Sequence, residues 1–565
     1  MNEEAIKEKI KNLFNQKKYK ELIYIAEQNF TKNQRSPGLI NLIGVAKFYK
    51  EDVTREDIQE SLLCFEEAFL KGKGTIHAYN GLLNLIKLGI KASILFSDFS
   101  NFLQKATKYY EESETNYERD QSFLANGIEL FTFLLDHEKI KKIIKKILNS
   151  DIDSKFLNGL AIFGCNYYYD WKQIDYLKNS KKNAKLFSKL NIQDLKNISY
   201  KDNIKIKLGF VSCDLEKNHS TIFFLKNTIK YLDKNKFDVS IFSLTQINKH
   251  DTSQNQLREL PDHWFDLYEN NNQKIADQIQ NEKIDILVDL IGFTKPERLE
   301  LFNSRIAPLQ ISWLSYCNTT GLDNIDYLIS DKNLILPGEE SMYSEKIVKL
   351  PQIWNTHSGF EYERKFNNLP FLKNNFFTFG SFNNFRKISD ETIDAWAQIL
   401  NKVPNSKLIL KSSTFADKIS LINKFKTKGV LNKIEVYDKL NFKNKEDHLN
   451  LYSKIDLCLD TFPYNGVTTS FEALWANIPV LVLKGFNFNS RCGESIIINS
   501  GFDFLLSNDV DDYISKAVYL SDNINVIEDL RKRIFETIHT TPLFNSKDFS
   551  NNFSNTLINI YQNIN

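Results

Sequence analysis

Over roughly the first 200 residues the apolar positions recur at helical spacing. From residue 203 onward they gather instead into short apolar runs separated by amphipathic stretches. The early segments "KYKELIYIAEQNF", "GLINLIGVAKFY", "IQESLLCFEEAFLKG" and "IHAYNGLLNLIKLG" are amphipathic pieces of 12–15 residues joined by short polar turns. Paired helices of this length suggest a solenoid. Gly44, Ser61, Phe65 and Ala68 resemble the small and aromatic positions of a tetratricopeptide (TPR) repeat, with "DVTRED" as an insertion between the helices. An irregular helical bundle is the plainer alternative.

The strand pattern opens at "NIKIKLGFVSCD" (203–214) and continues through "DVSIFSL", "IDILVDLIG", "LQISWLSY" and "DYLISD". Helical "STIFFLKNTIKYL" and "NQKIADQIQNEK" lie between these runs, which makes a βαβ series and a parallel sheet. After the polar stretch "YERKFNNLPFLKNN" (362–375), read as a linker, a second series follows: "FFTFGSF", "KLILKS", "KIEVYD", "DLCLDTF" and "PVLVLK". The predicted organisation is a helical, TPR-like region over 1–200, a Rossmann-like lobe over 201–365 and a second over 366–545. A terminal helix over 546–565 returns to the first lobe.

Candidate chemistry collects where strands hand over to helices. In "DTFPYNGVTTSFEALWANIPV" (460–480) a buried strand ends, and an Asn465-Gly466 turn leads into a helix starting near Thr468. Such a start presents unpaired amides and the positive end of the helix dipole, which suits an anion. Thr468 and Thr469 add hydroxyls, and Glu472 lies one turn deeper, where it could accept from ribose hydroxyls. The stretch "TSFE" reads also as a capping box that merely finishes the helix. In "FGSFNNFRKISDETIDAW" (379–396) Ser389 is the natural N-cap, with Lys387 just outside it and Asn384 nearby. An ammonium there would neutralise a departing diphosphate without a metal. In "SCDLEKNHSTIFFL" (212–225) His219 stands before a helix, where the dipole favours a neutral ring that takes a proton or only walls a pocket. Asn318, Thr319, Thr320 and Gly321 follow a strand in the first lobe and are read as an acceptor or sugar pocket. "GFTKPERLELF" (292–302) is similarly placed. Lys445 and His448 begin a helix before the buried strand, facing either a nucleotide or solvent.

Composition narrows the class. With 73 basic and 71 acidic residues the net charge is +2, so no bulk field recruits nucleic acid or an acidic membrane. Six scattered cysteines lack paired spacing, which favours reduced thiols in a cytoplasm. No signal peptide is read at the N-terminus, and no run of about 18 apolar residues predicts a membrane span. P-loop, G-x-G-x-x-G, G-x-S-x-G and metal-ligand spacings are all missing. Two nucleotide-type lobes with phosphate-facing turns suit group transfer from a nucleotide-activated donor.

At these residues the chain resembles the protein O-GlcNAc transferases of glycosyltransferase family 41, which include the plant SPINDLY O-fucosyltransferases. The resembling segments are "GFVSCDLEKNHS", "DILVDLIGFT", "APLQISWLSYCNTTGLDNIDYLISD", "FGSFNNFRKI" with "WAQILNKVPNSKLIL", and "DLCLDTFPYNGVTTSFEALWANIPVLVL". The resemblance implies a GT-B fold behind a helical repeat region, and inverting, metal-independent transfer to Ser or Thr of proteins. It implies UDP-GlcNAc as donor, no cofactor, and a protein acceptor bound through the helical region of a cytoplasmic, bacterial enzyme. By matching position, His219 is the family's active-site His. Asn384 and Lys387 contact the nucleotide diphosphate, with Lys387 important to catalysis. Lys445 and His448 match nucleotide-binding positions, Thr468 and Thr469 the diphosphate threonines, and Glu472 an acidic ribose ligand. Val467 replaces a His of animal members, and Glu472 replaces their Asp. GDP-fucose as donor, a glycan or lipid acceptor, and a helical scaffold carrying a silent transferase are the alternatives.

Overall fold

Polar residues at the predicted turns start the early helices. Ser36, Thr54, Thr75 and Asp120 each accept an amide from the first turn of the helix that follows: Pro37–Tyr49, Arg55–Lys71, Ile76–Leu95 and Gln121–Leu134. In this computed structural model the described residues are 3–96, 99–196, 204–216, 219–248, 250–360, 364–412, 415–438 and 445–563, with backbone alone at 100, 415–417 and 445–447. The chain divides into two compact units, Met1–Lys145 with Ser412–Asn423, and Lys146–Lys411 with Lys424–Asn565.

The first unit is helical, and its helices approach closely where small residues meet aromatics. A Cβ on Gly44 would stand 2.7 Å from the Phe65 ring, and Ser61 donates to Gly44 O at 2.6 Å. Gly81 lies against the backbone of Phe65 and Phe69, where a Cβ would come within 2.9–3.0 Å. The small and aromatic positions singled out in the sequence are thus the contacts between successive helices.

The second unit holds two parallel sheets. The first lobe orders its strands β3-β2-β1-β4-β5-β6-β7: β1 Ile206–Ser212, β2 Phe237–Ser243, β3 His263–Asp266, β4 Ile286–Asp289, β5 Leu309–Ser312, β6 Tyr327–Asp331 and β7 Lys346–Leu350. The second orders β10-β9-β8-β11-β12-β13: β8 Phe377–Ser381, β9 Ser406–Lys411, β10 Ile434–Tyr437, β11 Leu457–Leu459, β12 Val480–Leu483 and β13 Leu506–Ser507. Each order reverses direction once, between β1 and β4 and between β8 and β11. At such switch points the strand ends open a crevice that can take a ligand. β3, β7 and β13 are edge strands that the apolar pattern does not predict.

Helical spacing continues to residue 184, but residues 146–196 belong to the second unit, not to the helical one. A Cβ on Gly159 of the helix Lys155–Cys165 would meet Pro296 at 2.4 Å, so that helix lies directly on the first lobe. Residues 364–375 are not a loose linker. Arg364 donates to Trp475 O and Phe535 O, and Asn367 exchanges bonds with Asn477. The helix Ser546–Gln562 crosses back to the first lobe, setting Phe553 4.6 Å from Trp313 and donating from Tyr561 Oη to Asp285 Oδ1 at 2.7 Å.

Candidate active site

Each lobe aims one helix start at the same place. In the second lobe β11 ends at Leu459, the chain turns through 460–467, and the helix Thr468–Trp475 begins. Val467 stands at its N-cap without a side-chain cap, so Thr469 and Glu472 form no capping box. The amides of Ser470 and Phe471 bond back to Val467 O at 3.0 Å. Those of Thr468 and Thr469 have no partner among the described residues, and neither does the Thr468 hydroxyl. These are orphan donors of the kind that an anion can take up.

Lys387 lies half-buried beside this turn. Its Nζ donates to Asn465 O at 2.7 Å and sits 4.1 Å from the centre of the Tyr464 ring. Burial pulls its pKa down, opposed by the nearby Asp460, with Cys492 and Cys317 also facing it. Ser389 caps the helix Asp390–Lys402 as predicted, accepting from Thr392 N. Asn384 is exposed and accepts from Arg386 N at 3.1 Å, which shapes the turn bearing Lys387.

Across the crevice His219 is the N-cap of the helix Ser220–Lys230. Its Nδ1 accepts Thr221 N–H at 3.4 Å, so the neutral ring carries its proton on Nε2, which lies 3.9 Å from Asp214 Oδ1. Within the first turn or so of each helix, Phe224 and Phe471 meet edge to face at 5.3 Å. That contact ties the two helix starts together across the lobes.

Several residues are placed differently from their sequence reading. Asn318, Thr319 and Thr320 are fully buried and line no crevice. Asn318 Oδ1 accepts from Gln173, while the hydroxyls of Thr319 and Thr320 donate to Glu345, a buried carboxylate some 25 residues downstream. Gly321, at φ +76°, backs against Ser180, where a Cβ would clash at 2.3 Å. Asn318, Thr319 and Gly321 dock the 173–184 helix, and Thr320 secures the turn on Glu345. Asn465 is equally buried, its side chain spent on Thr461 O and Gly493 N, and it reaches the crevice only through the carbonyl that anchors Lys387. Gly466 is needed for packing, because a Cβ there would meet Thr469 Oγ1, Asn383 Oδ1 and Ser470 Oγ at 2.6–2.8 Å. Gly466→Ala is therefore expected to destabilise the fold by about 1–3 kcal/mol, read as a lowered melting temperature.

Glu472 is buried, with Oε2 accepting from Tyr452 Oη at 3.0 Å and lying 3.3 Å from His448 Nε2. His448 and Glu472 thus form one polar pair under the helix start. The side chain of Lys445 lies outside the described residues. The sequence reading missed Asn383, Asp460, Tyr464 and Tyr167. Tyr167 comes from the turn after Lys155–Cys165 and leans its ring to 5.0 Å from Tyr464. An aspartate ending the buried strand was the one signal on offer.

The glycosyl transferase family 41 model matches residues 172–360 and 363–553. The chain belongs to that family. Among curated relatives of this family 41 glycosyltransferase, the probable UDP-N-acetylglucosamine–peptide N-acetylglucosaminyltransferase SPINDLY of Petunia hybrida is 30% identical over 367 residues, covering 62% of this chain and 38% of the relative. The protein of the same name from Arabidopsis thaliana is 31% identical over 362 residues, covering 62% and 39%. The matched stretch therefore spans less than half of those relatives. A solved mutant of the Thermobaculum terrenum O-GlcNAc transferase aligns over 95% of this chain and 99% of its own, with a TM-score of 0.77 at 22% identity. The family 41 chain accordingly has the GT-B architecture, two Rossmann-like lobes preceded by a helix-rich, TPR-like region. Among its described residues no helix is long and apolar enough to cross a membrane.

Proposed function

We propose that this chain transfers N-acetylglucosamine from UDP-GlcNAc to Ser or Thr hydroxyls of proteins, with inversion and without a metal. The observation that carries this reading is the Lys387 ammonium, fixed beside the uncapped start of the Thr468 helix. A diphosphate seated there would meet one full positive charge, two orphan amides and the Thr468 hydroxyl. The acceptor oxygen forms its bond to the anomeric carbon as the carbon–diphosphate bond breaks; the electron pair leaves with the diphosphate, and the hydroxyl proton passes to the departing diphosphate or to solvent. Donors already aimed at that developing charge lower the barrier. The Glu472–His448 pair is the candidate ribose contact. The helical unit, which exposes Tyr24, Leu63 and Leu70, is the candidate acceptor-binding element.

His219 fits a donor better than a base in this geometry, since its Nδ1 lone pair is held by Thr221 N–H. His219→Ala is expected to lower kcat about tenfold, the scale of one lost hydrogen bond of about 1.5 kcal/mol, and to leave UDP affinity nearly unchanged. Calorimetry beside steady-state rates separates the two effects, and a large loss of UDP affinity would move His219 to the nucleotide side.

The reading is tested by titrating the full chain with UDP, UDP-GlcNAc and GDP-fucose, then measuring intact masses of candidate acceptor proteins. Binding of the uridine nucleotides and a mass gain of one N-acetylhexosamine support it. Binding of GDP-fucose alone would replace the donor. Binding of none would leave a helical scaffold with a silent transferase.

A further inference from the structure

The turn that anchors Lys387 closes around a single carboxylate. Asp460 follows β11, and its Oδ1 accepts from Gly466 N at 2.7 Å, Asn383 Nδ2 at 2.9 Å and Thr461 N at 2.9 Å. Its Oδ2 is buried, with no hydrogen-bond partner among the described residues. Two arms run outward from this group. Through one, Asn383 Oδ1 takes the Thr469 hydroxyl at 2.5 Å. Along the other, the turn reaches Asn465, whose carbonyl holds Lys387 at 2.7 Å and whose Oδ1 takes Gly493 N at 3.1 Å. Gly493 seals the arrangement, since a Cβ there would stand 2.9 Å from Asp460 Oδ2.

We propose that Asp460 is the positioning residue of the transfer site: it clamps the 460–466 turn that fixes Thr469 and the Lys387 anchor, and it keeps the Lys387 ammonium charged. This rests on the donor reading above. A carboxylate with one buried oxygen left unpartnered is costly for a merely structural residue. Lys387 is a cation whose charge acts on that carboxylate. Desolvation draws the Lys387 pKa down, and Asp460 is the foremost group holding it up, ahead of Cys492 and Cys317. Burial pushes Asp460 up to about 6, opposed by the bonds from Gly466 and Asn383, by Lys387 and by the Thr461 amide. The Cys458 thiol and the Tyr513 phenol also feel the Asp460 charge. Below about pH 6 the carboxylate takes up a proton, the turn loses its charged acceptor and Lys387 loses its counter-charge. On the alkaline side the site fails when Lys387 gives up its proton.

The test is UDP affinity of the full chain by calorimetry from about pH 5, below the Asp460 midpoint, to about pH 11, above the ordinary lysine value. Affinity should fall at the alkaline end, and Lys387→Met should abolish that fall. Asp460→Asn should move the fall about one unit or more toward lower pH, a shift equivalent to about 1.4 kcal/mol. A folded Asp460→Asn protein whose alkaline limb stays in place would overturn the proposal, because a structural role alone weakens binding at every pH. Should that variant fail to fold, carbon-13 NMR of the aspartate carboxyls in Lys387→Met decides. The Asp460 midpoint should rise when its cation is removed, since the coupling is reciprocal, and an unmoved midpoint refutes the proposal. Failure of the unsubstituted chain to bind UDP at any pH would sink the donor reading instead, leaving the NMR measurement to judge the Asp460–Lys387 coupling.

Discussion

Replacing Lys387 by methionine is expected to reduce turnover about a hundredfold to a thousandfold, the loss of about 2.7–4 kcal/mol that follows removal of one donor aimed at developing charge. Methionine keeps the length and apolar body of the side chain, so the packing on Tyr464 survives while the charge 4.1 Å from its ring centre disappears. The bond to Asn465 O is lost as well and leaves a buried carbonyl without that donor, so a melting curve accompanies the rates to show that the variant is folded. The ground state carries diphosphate charge already, so UDP affinity should fall too, by less than turnover. Arginine is not expected to restore activity, because its planar fork demands a wider seat than a point charge between a ring and a carbonyl. Comparing kcat with UDP affinity for both variants checks this. Undiminished turnover in a folded Lys387→Met protein would remove the leaving-group role altogether.

The largest stability effect is expected away from the crevice, at Arg531. This guanidinium is 1% exposed, yet it donates to four carbonyls: Ile455 O and Asp456 O in the second lobe, and Asn367 O and Asn368 O in the segment that enters it. Burial draws its pKa down to about 10, with Asp456 opposing. Asp456 in turn is pushed up to about 6 by burial, against the amides of Phe371 and Thr378 that it accepts and the Arg531 charge. Arg531→Ala would leave the four carbonyls and a buried carboxylate without their cation. A destabilisation of about 3–5 kcal/mol is expected, as for other buried pairs cut on one side. Chemical unfolding followed by tryptophan fluorescence measures it. A change below about 1 kcal/mol would mean that water enters and satisfies the carbonyls.

Legibility in the sequence followed burial. β1, β4, β5, β8, β11 and β12 are covered by protein, and their side chains read as apolar runs. β3 (His263–Asp266) and β7 (Lys346–Leu350) lie at sheet edges, with only one of their nine positions buried, which erases the signal. The break at residue 145 was invisible because a helix shows the same stripe whether it packs on another helix or, as with Lys155–Cys165, on a lobe. The same limit governed the site. Thr468 and Lys387 could be placed because a buried strand, a short turn and a helix start leave little choice of direction. Asn318–Gly321 follow a strand in the same way, and nothing local reveals that Glu345 takes up their donors. Local sequence shows which groups are polar, whereas their distant partners decide which remain available.

The return of the helix Ser546–Gln562 to the first lobe has a consequence for synthesis. The face made by Trp313 and the Ser220–Lys230 helix, where Ser550 bonds to Thr228 O, stays uncovered until residues beyond 545 have left the ribosome. Nascent chains halted anywhere in the second lobe would carry that greasy, half-finished surface into the cell, as natural clients for chaperones and proteases.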